Sequence, residues 1–140
     1  RAEDAREADS EFRSSLEEDP RNAEALVDYA HFLSSRDQAR ATALFKDAMT
    51  QVPEDARVLG EYAWFLERVC QQHDTAAALY SRAITADPSA AGTLGRYGGF
   101  LAVVQKQPQA AAAMYKRCHT ADPLNLTGIL GLAGALEASG

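Results

Sequence analysis

Residues 53–88 read PEDARVLGEYAWFLERVCQQHDTAAALYSRAITADP, a stretch that begins and ends on a proline. Pro53 and Pro88 belong to a series with Pro20 and Pro123, spaced 33, 35 and 35 residues apart. A fixed period of that length in a 140-residue chain marks a stacked helical repeat. Within the stretch, Leu59, Tyr62, Ala63 and Leu66 recur three and four apart, which is one face of an α-helix. Ala76, Tyr80, Ala83 and Ile84 describe a second such face before Pro88.

The same two patterns extend outward in both directions. Six residues past the prolines stand Leu26, Leu59, Leu94 and Ile129; nine past stand Tyr29, Tyr62, Tyr97 and Leu132. Ten past stand Ala30, Ala63, Gly98 and Ala133, and thirteen past stand Leu33, Leu66, Leu101 and Leu136. Eight residues before the prolines each repeat has one aromatic, Phe12, Phe45, Tyr80 or Tyr115, flanked by small residues where helices would cross. Asn22, Asp55 and Asn125 lie two residues past a proline and are placed to cap the helix that follows. Asp37 and Asp74 mark the start of the second helix, and Pro108 takes that place in the third unit, where a missing N–H costs little. The unequal period is read as a shorter inter-helix turn around Ser35–Asp37 than around Gln71–Asp74.

These residues resemble the tetratricopeptide repeat (TPR) family, whose units have a small residue midway along the first helix. The second helix of the family pattern carries small, aromatic and small residues and is followed by a proline. Ala30, Ala41, Phe45, Ala48 and Pro53 match it, as do Ala63, Ala76, Tyr80, Ala83 and Pro88, then Gly98, Ala111, Tyr115, Cys118 and Pro123. Tyr29, Tyr62 and Tyr97 depart from the leucine usual there, and Cys118 departs from alanine. The expected architecture is all-α: antiparallel helix pairs, seven to eight helices in all, forming one domain over residues 1–140. Residues 2–18 would be a half repeat, 22–51, 55–86 and 90–121 three full repeats, and 125–138 a terminal capping helix. The resemblance implies that the pairs wind into a right-handed superhelical solenoid.

Composition narrows the function. Hydrophobic residues make up 46% and charged residues 24%, ordinary values for a globular chain. No apolar run could span a membrane, and the charged first twenty residues do not read as a signal peptide. The chain starts at Arg1 and is read as an excised or processed segment. Residues 1–20 hold eight acids against three bases, so most of the net charge of −6 sits there, on what is read as a solvated helix face. The nearly neutral remainder argues against tracking of phosphates, so nucleic acid is not an expected partner. Cys70 and Cys118 are isolated; neither a zinc site nor any other metal or cofactor is expected, and a reducing, cytoplasmic setting is. His31, His73 and His119 are scattered, with His119 read as a satisfied core residue, and no nucleophile–base or paired-carboxylate arrangement follows. The glycines of residues 92–99 lie within a helix and follow no strand, so they do not form a nucleotide loop. No catalytic residue is assigned.

The resemblance instead implies binding along the concave surface formed by the first helix of each pair. Residues four, seven, eight and eleven places past the prolines would project there: Glu24, Val27, Asp28 and His31; Arg57, Gly60, Glu61 and Trp64; Gly92, Gly95, Arg96 and Gly99. Trp64, the only tryptophan, would either stand at the centre, with Gly95 and Gly99 leaving space beside it and Arg68 near the rim, or cover a seam between repeats. Such a mixed groove suits an extended or helical peptide with an apolar anchor. One TPR subclass grips chaperone C-terminal carboxylates with lysines and asparagines; here Val27, His31, Glu61 and Arg96 occupy the corresponding face, and Asp28 and Glu61 would repel an acidic tail. The related half-a-TPR type, which serves RNA-processing assemblies, fits the proline pattern less well. On the last helix, Ile129, Leu132, Ala133 and Leu136 would form the core face, leaving Leu126 and Leu130 partly uncovered. Such a patch would be covered by further repeats of a longer parent chain or by a second copy in a homo-oligomer.

Overall fold

The computed structural model describes residues 2–139. It contains eight helices among them: α1 (Ala2–Glu18), α2 (Ala23–Leu33), α3 (Gln38–Gln51), α4 (Ala56–Arg68), α5 (His73–Ala86), α6 (Ala91–Val103), α7 (Pro108–Ala121) and α8 (Leu126–Ser139). The chain is an all-α helical-repeat solenoid. Helices α2 and α3, α4 and α5, and α6 and α7 pack as pairs. The first helices also touch one another in sequence, α2 on α4, α4 on α6 and α6 on α8, whereas α3 and α5, and α5 and α7, have backbones further apart among the described residues. Contact on one side and separation on the other curve the stack, with α2, α4, α6 and α8 on its inner side.

The helix starts follow local chemistry. Asn22, Asp55 and Asn125 accept hydrogen bonds from the N–H groups of Ala25, Val58 and Gly128 at 3.0, 3.1 and 3.1 Å. Asp37 does the same for Arg40 at 3.1 Å. Asp74 lies in the first turn of α5, at the start of the second helix as expected, and Gln72 holds the cap position without a side-chain bond. The unequal period has a different origin from the expected one. All three intra-pair connections are four residues long, and the extra two residues lengthen α4 and α6 to 13 against 11 in α2. In the longer units, Gln71 and Lys106 take φ near +58° and +54° so that the next N–H returns to Leu66 or Leu101.

The core is an aromatic ladder. Phe12 stacks on Tyr29, Phe45 on Tyr62 and Tyr80 on Tyr97, with centroids 5.0, 5.3 and 5.3 Å apart. Phe32, Phe65 and Phe100 complete each tier at 5.6, 5.1 and 5.5 Å from the same second-helix ring. Each tier therefore joins the second helix of one pair to the first helix of the next, which is how burial propagates along a repeat protein. Tyr115 holds the corresponding place in the last pair but meets glycine rather than aromatic partners: the α-carbons of Gly98 and Gly131 lie so close that a Cβ on either would overlap its ring.

Helix α8 presents a face other than the expected one. Gly128 is buried against Cys118, and Gly131 lies against Tyr115, while Ile129 and Leu136 are 39% and 66% exposed and Ala133 is exposed as well. Leu132 is half-buried. In the earlier pairs the equivalents of Ile129, Ala133 and Leu136 are buried beside a following second helix; among the described residues α8 packs on α6 and α7 alone.

The acidic α1 has no buried residue, yet it is more than a solvated face. Asp9 accepts from the Tyr29 hydroxyl at 2.5 Å and from Arg13 at 2.7 Å, and Arg40 donates to the same hydroxyl at 2.6 Å. The Tyr29 bond, with the Arg13 and Arg40 charges, holds the Asp9 carboxyl below its ordinary range. No helix among the described residues is long and apolar enough to cross a membrane.

Candidate functional site

Side chains from three successive inner helices share the inner face, and His31, Arg68 and Arg96 among them stand around Trp64. Asp28 and His31 come from α2, Arg57, Glu61, Trp64 and Arg68 from α4, and Arg96 from α6. They project together because each pair repeats the same helical phase and the inner helices lie side by side. Arg57 donates to Asp28 at 3.2 Å, an exposed pair. Glu61 receives both His31 Nε2 and Arg96 Nη1, the latter at 2.9 Å. The His31 ring centroid lies 5.7 Å from that of Trp64, and the guanidinium carbons of Arg96 and Arg68 stand 5.3 and 6.0 Å from the indole. Burial alone would raise the Glu61 carboxyl; the bonds from His31 and Arg96 outweigh it and bring the pKa down to about 2.

The seventh place past each proline differs from the expectation. Val27, Gly60 and Gly95 are buried, because this position faces the neighbouring inner helix and forms the seam between repeats. Gly60 makes room for Thr93, and Gly95 for Thr127. Gly95 is therefore a seam residue, although it and the half-buried Gly99 do edge a cavity of about 250 Å3 beside Trp64. A second cavity, of about 260 Å3, opens between Arg57, Glu61, Gly92 and Arg96. Gly92 has open space around its α-carbon.

Sequence reasoning missed Glu67, which is 9% exposed and accepts from the Tyr80 hydroxyl at 2.8 Å. Burial and the adjacent Glu67 carboxylate push the Tyr80 phenol up, which keeps its proton in place for this bond. The signal was present as an acid where the neighbouring units have Ser34 and Ala102. His73 and His119 lie apart from this cluster, and among the described residues the buried Nδ1 of each has no protein hydrogen-bond partner. Leu126 and Leu130 are 70% and 68% exposed on α8. Among the described residues no group of three or more His, Cys, Asp or Glu side chains is arranged to hold a metal ion.

No protein-family model matches the sequence, and no curated protein matches it. Solved structures do match in shape. PilW, described as a widely conserved type IV pilus biogenesis factor, superposes over 98% of this chain and 63% of its own with a TM-score of 0.82 at 24% identity. PilF of Pseudomonas aeruginosa covers 99% and 63% with a TM-score of 0.83 at 20% identity. The first TPR of Spaghetti (RPAP3), bound to the HSP90 peptide SRMEEVD, covers 83% and 91% with a TM-score of 0.71 at 18% identity. The chain spans 63% of the length of each of the two pilus proteins. At these identities the likeness is one of fold, and the fold is a TPR-type helical repeat.

Proposed function

We propose that this protein is a non-catalytic interaction scaffold that takes a peptide or a partner helix along the inner face of its solenoid. The observation that carries the reading is that His31, Arg68 and Arg96, from three consecutive inner helices, surround one tryptophan that lines a cavity, with Glu61 bonded to His31 and Arg96 and the Asp28–Arg57 pair on the same helices. Tryptophan and arginine are the residues that most often anchor interfaces. A structurally similar TPR holds a peptide, which adds support from the fold. The groove of this chain does not suit an acidic tail, because Arg57 and Arg96 are already neutralised by Asp28 and Glu61. Trp64→Ala weakens capture of a partner by ~2 kcal/mol or more while helical content stays intact. Partner capture from extracts followed by mass spectrometry, wild type beside variant, measures this; equal capture by both removes the groove from consideration.

A second reading rests on the end helix. Leu130 occupies the seam position that Val27, Gly60 and Gly95 fill within the stack, yet it is 68% exposed. Self-association, or addition of further repeats, through Leu126 and Leu130 would cover it. Light scattering over a concentration series separates the readings. A dimer abolished by Leu130→Asp and indifferent to Trp64→Ala favours assembly, whereas a monomer throughout eliminates self-association.

A further inference from the structure

Glu67 accepts from the buried Tyr80 hydroxyl, a group that Phe45 at the equivalent place lacks, and α8 carries Glu137 at the same phase. Ser34 and Ala102 hold the place of Glu67 in the neighbouring units, and those units stack without an acid there. The side chain is nine-tenths buried, has no ion pair among the described residues, and receives one hydrogen bond, from Tyr80 to Oε1. An ionised carboxylate has about four acceptor sites, so most of its capacity is unspent. Glu67 also lines the cavity beside Trp64, together with Arg68, Arg96, Phe100 and Val103. An acceptor thus sits in a cavity walled by the Trp64 indole, by glycines and by Val103 and Thr127, with two guanidinium groups at its rim.

This chemistry discriminates among occupants. A carboxylate would face Glu67. A lysine or arginine would meet Arg68 and Arg96, both already within 6.0 Å of the indole centroid. A purely apolar ring would strip water from Glu67 and return nothing, which is costly for a buried charge. A neutral donor at the end of an aromatic body suits these walls: the ring lies against Trp64, and its hydroxyl donates to the carboxylate. The cavity, about 250 Å3, has room for one such side chain.

We propose that this cavity is the anchor subsite of the groove and takes a tyrosine of the partner, with its phenol donating to Glu67. The inference rests on the groove reading given above and specifies its occupant. Its test titrates the whole chain with N-acetyltyrosinamide, N-acetylphenylalaninamide and N-acetylargininamide, following the indole N–H resonance of Trp64, the sole tryptophan. The tyrosine amide binds about tenfold tighter than the phenylalanine amide, the difference expected of a hydrogen bond to a charged group. Glu67→Gln, checked by circular dichroism, narrows that preference. Equal binding of the two aromatic amides overturns the proposal, as do tighter binding of the arginine amide and a Trp64 resonance that moves with none of them. The wild-type comparison decides the matter even if the Gln variant misfolds. Partner capture that depends on Trp64 without any tyrosine preference would leave the groove reading standing and remove this subsite alone.

Discussion

Glu61 links three repeats through one carboxylate, and its chemistry is visible in the acid response of the protein. Its pKa falls from an ordinary 4.5 to about 2 in the folded chain. A depressed folded pKa stabilises the native state above the unfolded value, and the gain is lost as pH falls through 4.5 towards 2. The shift is equivalent to about 3 kcal/mol. Urea unfolding at a series of pH values therefore shows a steeper loss of stability between pH 5 and 2 in the wild type than in Glu61→Gln; parallel curves contradict the link. Only part of this cluster was legible from residue spacing. His31, Glu61, Trp64 and Arg96 were placed on one face by helical phase, but phase says nothing of which charge meets which. Glu67 escaped notice because a lone acid at a helix end reads as solvent-facing until Tyr80 is folded beneath it.

At the scale of the helix, two glycines three residues apart have opposite roles in space. Gly131 admits the Tyr115 ring, whereas Gly134, one turn further along α8, has open space around its α-carbon. Gly134→Ala gains helix propensity and stabilises the protein by up to about 1 kcal/mol. Gly131→Ala forces the ring away and destabilises it by about 1–3 kcal/mol, the usual cost of overpacking. Thermal melts of the two variants test the pair, and equal midpoints would contradict the packing of α7 on α8. The aromatic tiers make a firmer claim. Phe45 is fully buried between Tyr62 and Phe65, so Phe45→Ala costs about 3–5 kcal/mol in chemical unfolding. The tyrosines nine places past the prolines looked like substitutions for leucine; in space each is half of a stacked pair between adjacent repeats.

Over the whole molecule, burial is concentrated in the middle. The main core runs from α2 to α6, a smaller cluster around Ile84, Leu94 and Cys118 follows, and α1 contributes no buried residue. In a stack held by nearest neighbours the ends open first. Amide hydrogen exchange is therefore fastest in α1 and α8 and slowest in α4 and α5; uniform protection would contradict this gradient. The proline period, the two apolar faces and the capping residues determined the helix pairs and their order, because local propensity and periodic burial are properties of consecutive residues. Tertiary structure decided what the period could not. The seam between inner helices buried Val27, Gly60 and Gly95, whereas Ile129, Ala133 and Leu136 on α8, with no second helix against them among the described residues, are exposed. It also brought Arg96 and His31 onto one carboxylate 30 to 35 positions away. Whether a side chain at a given phase faces solvent depends on the presence of the next helix, and that is a fact of three dimensions.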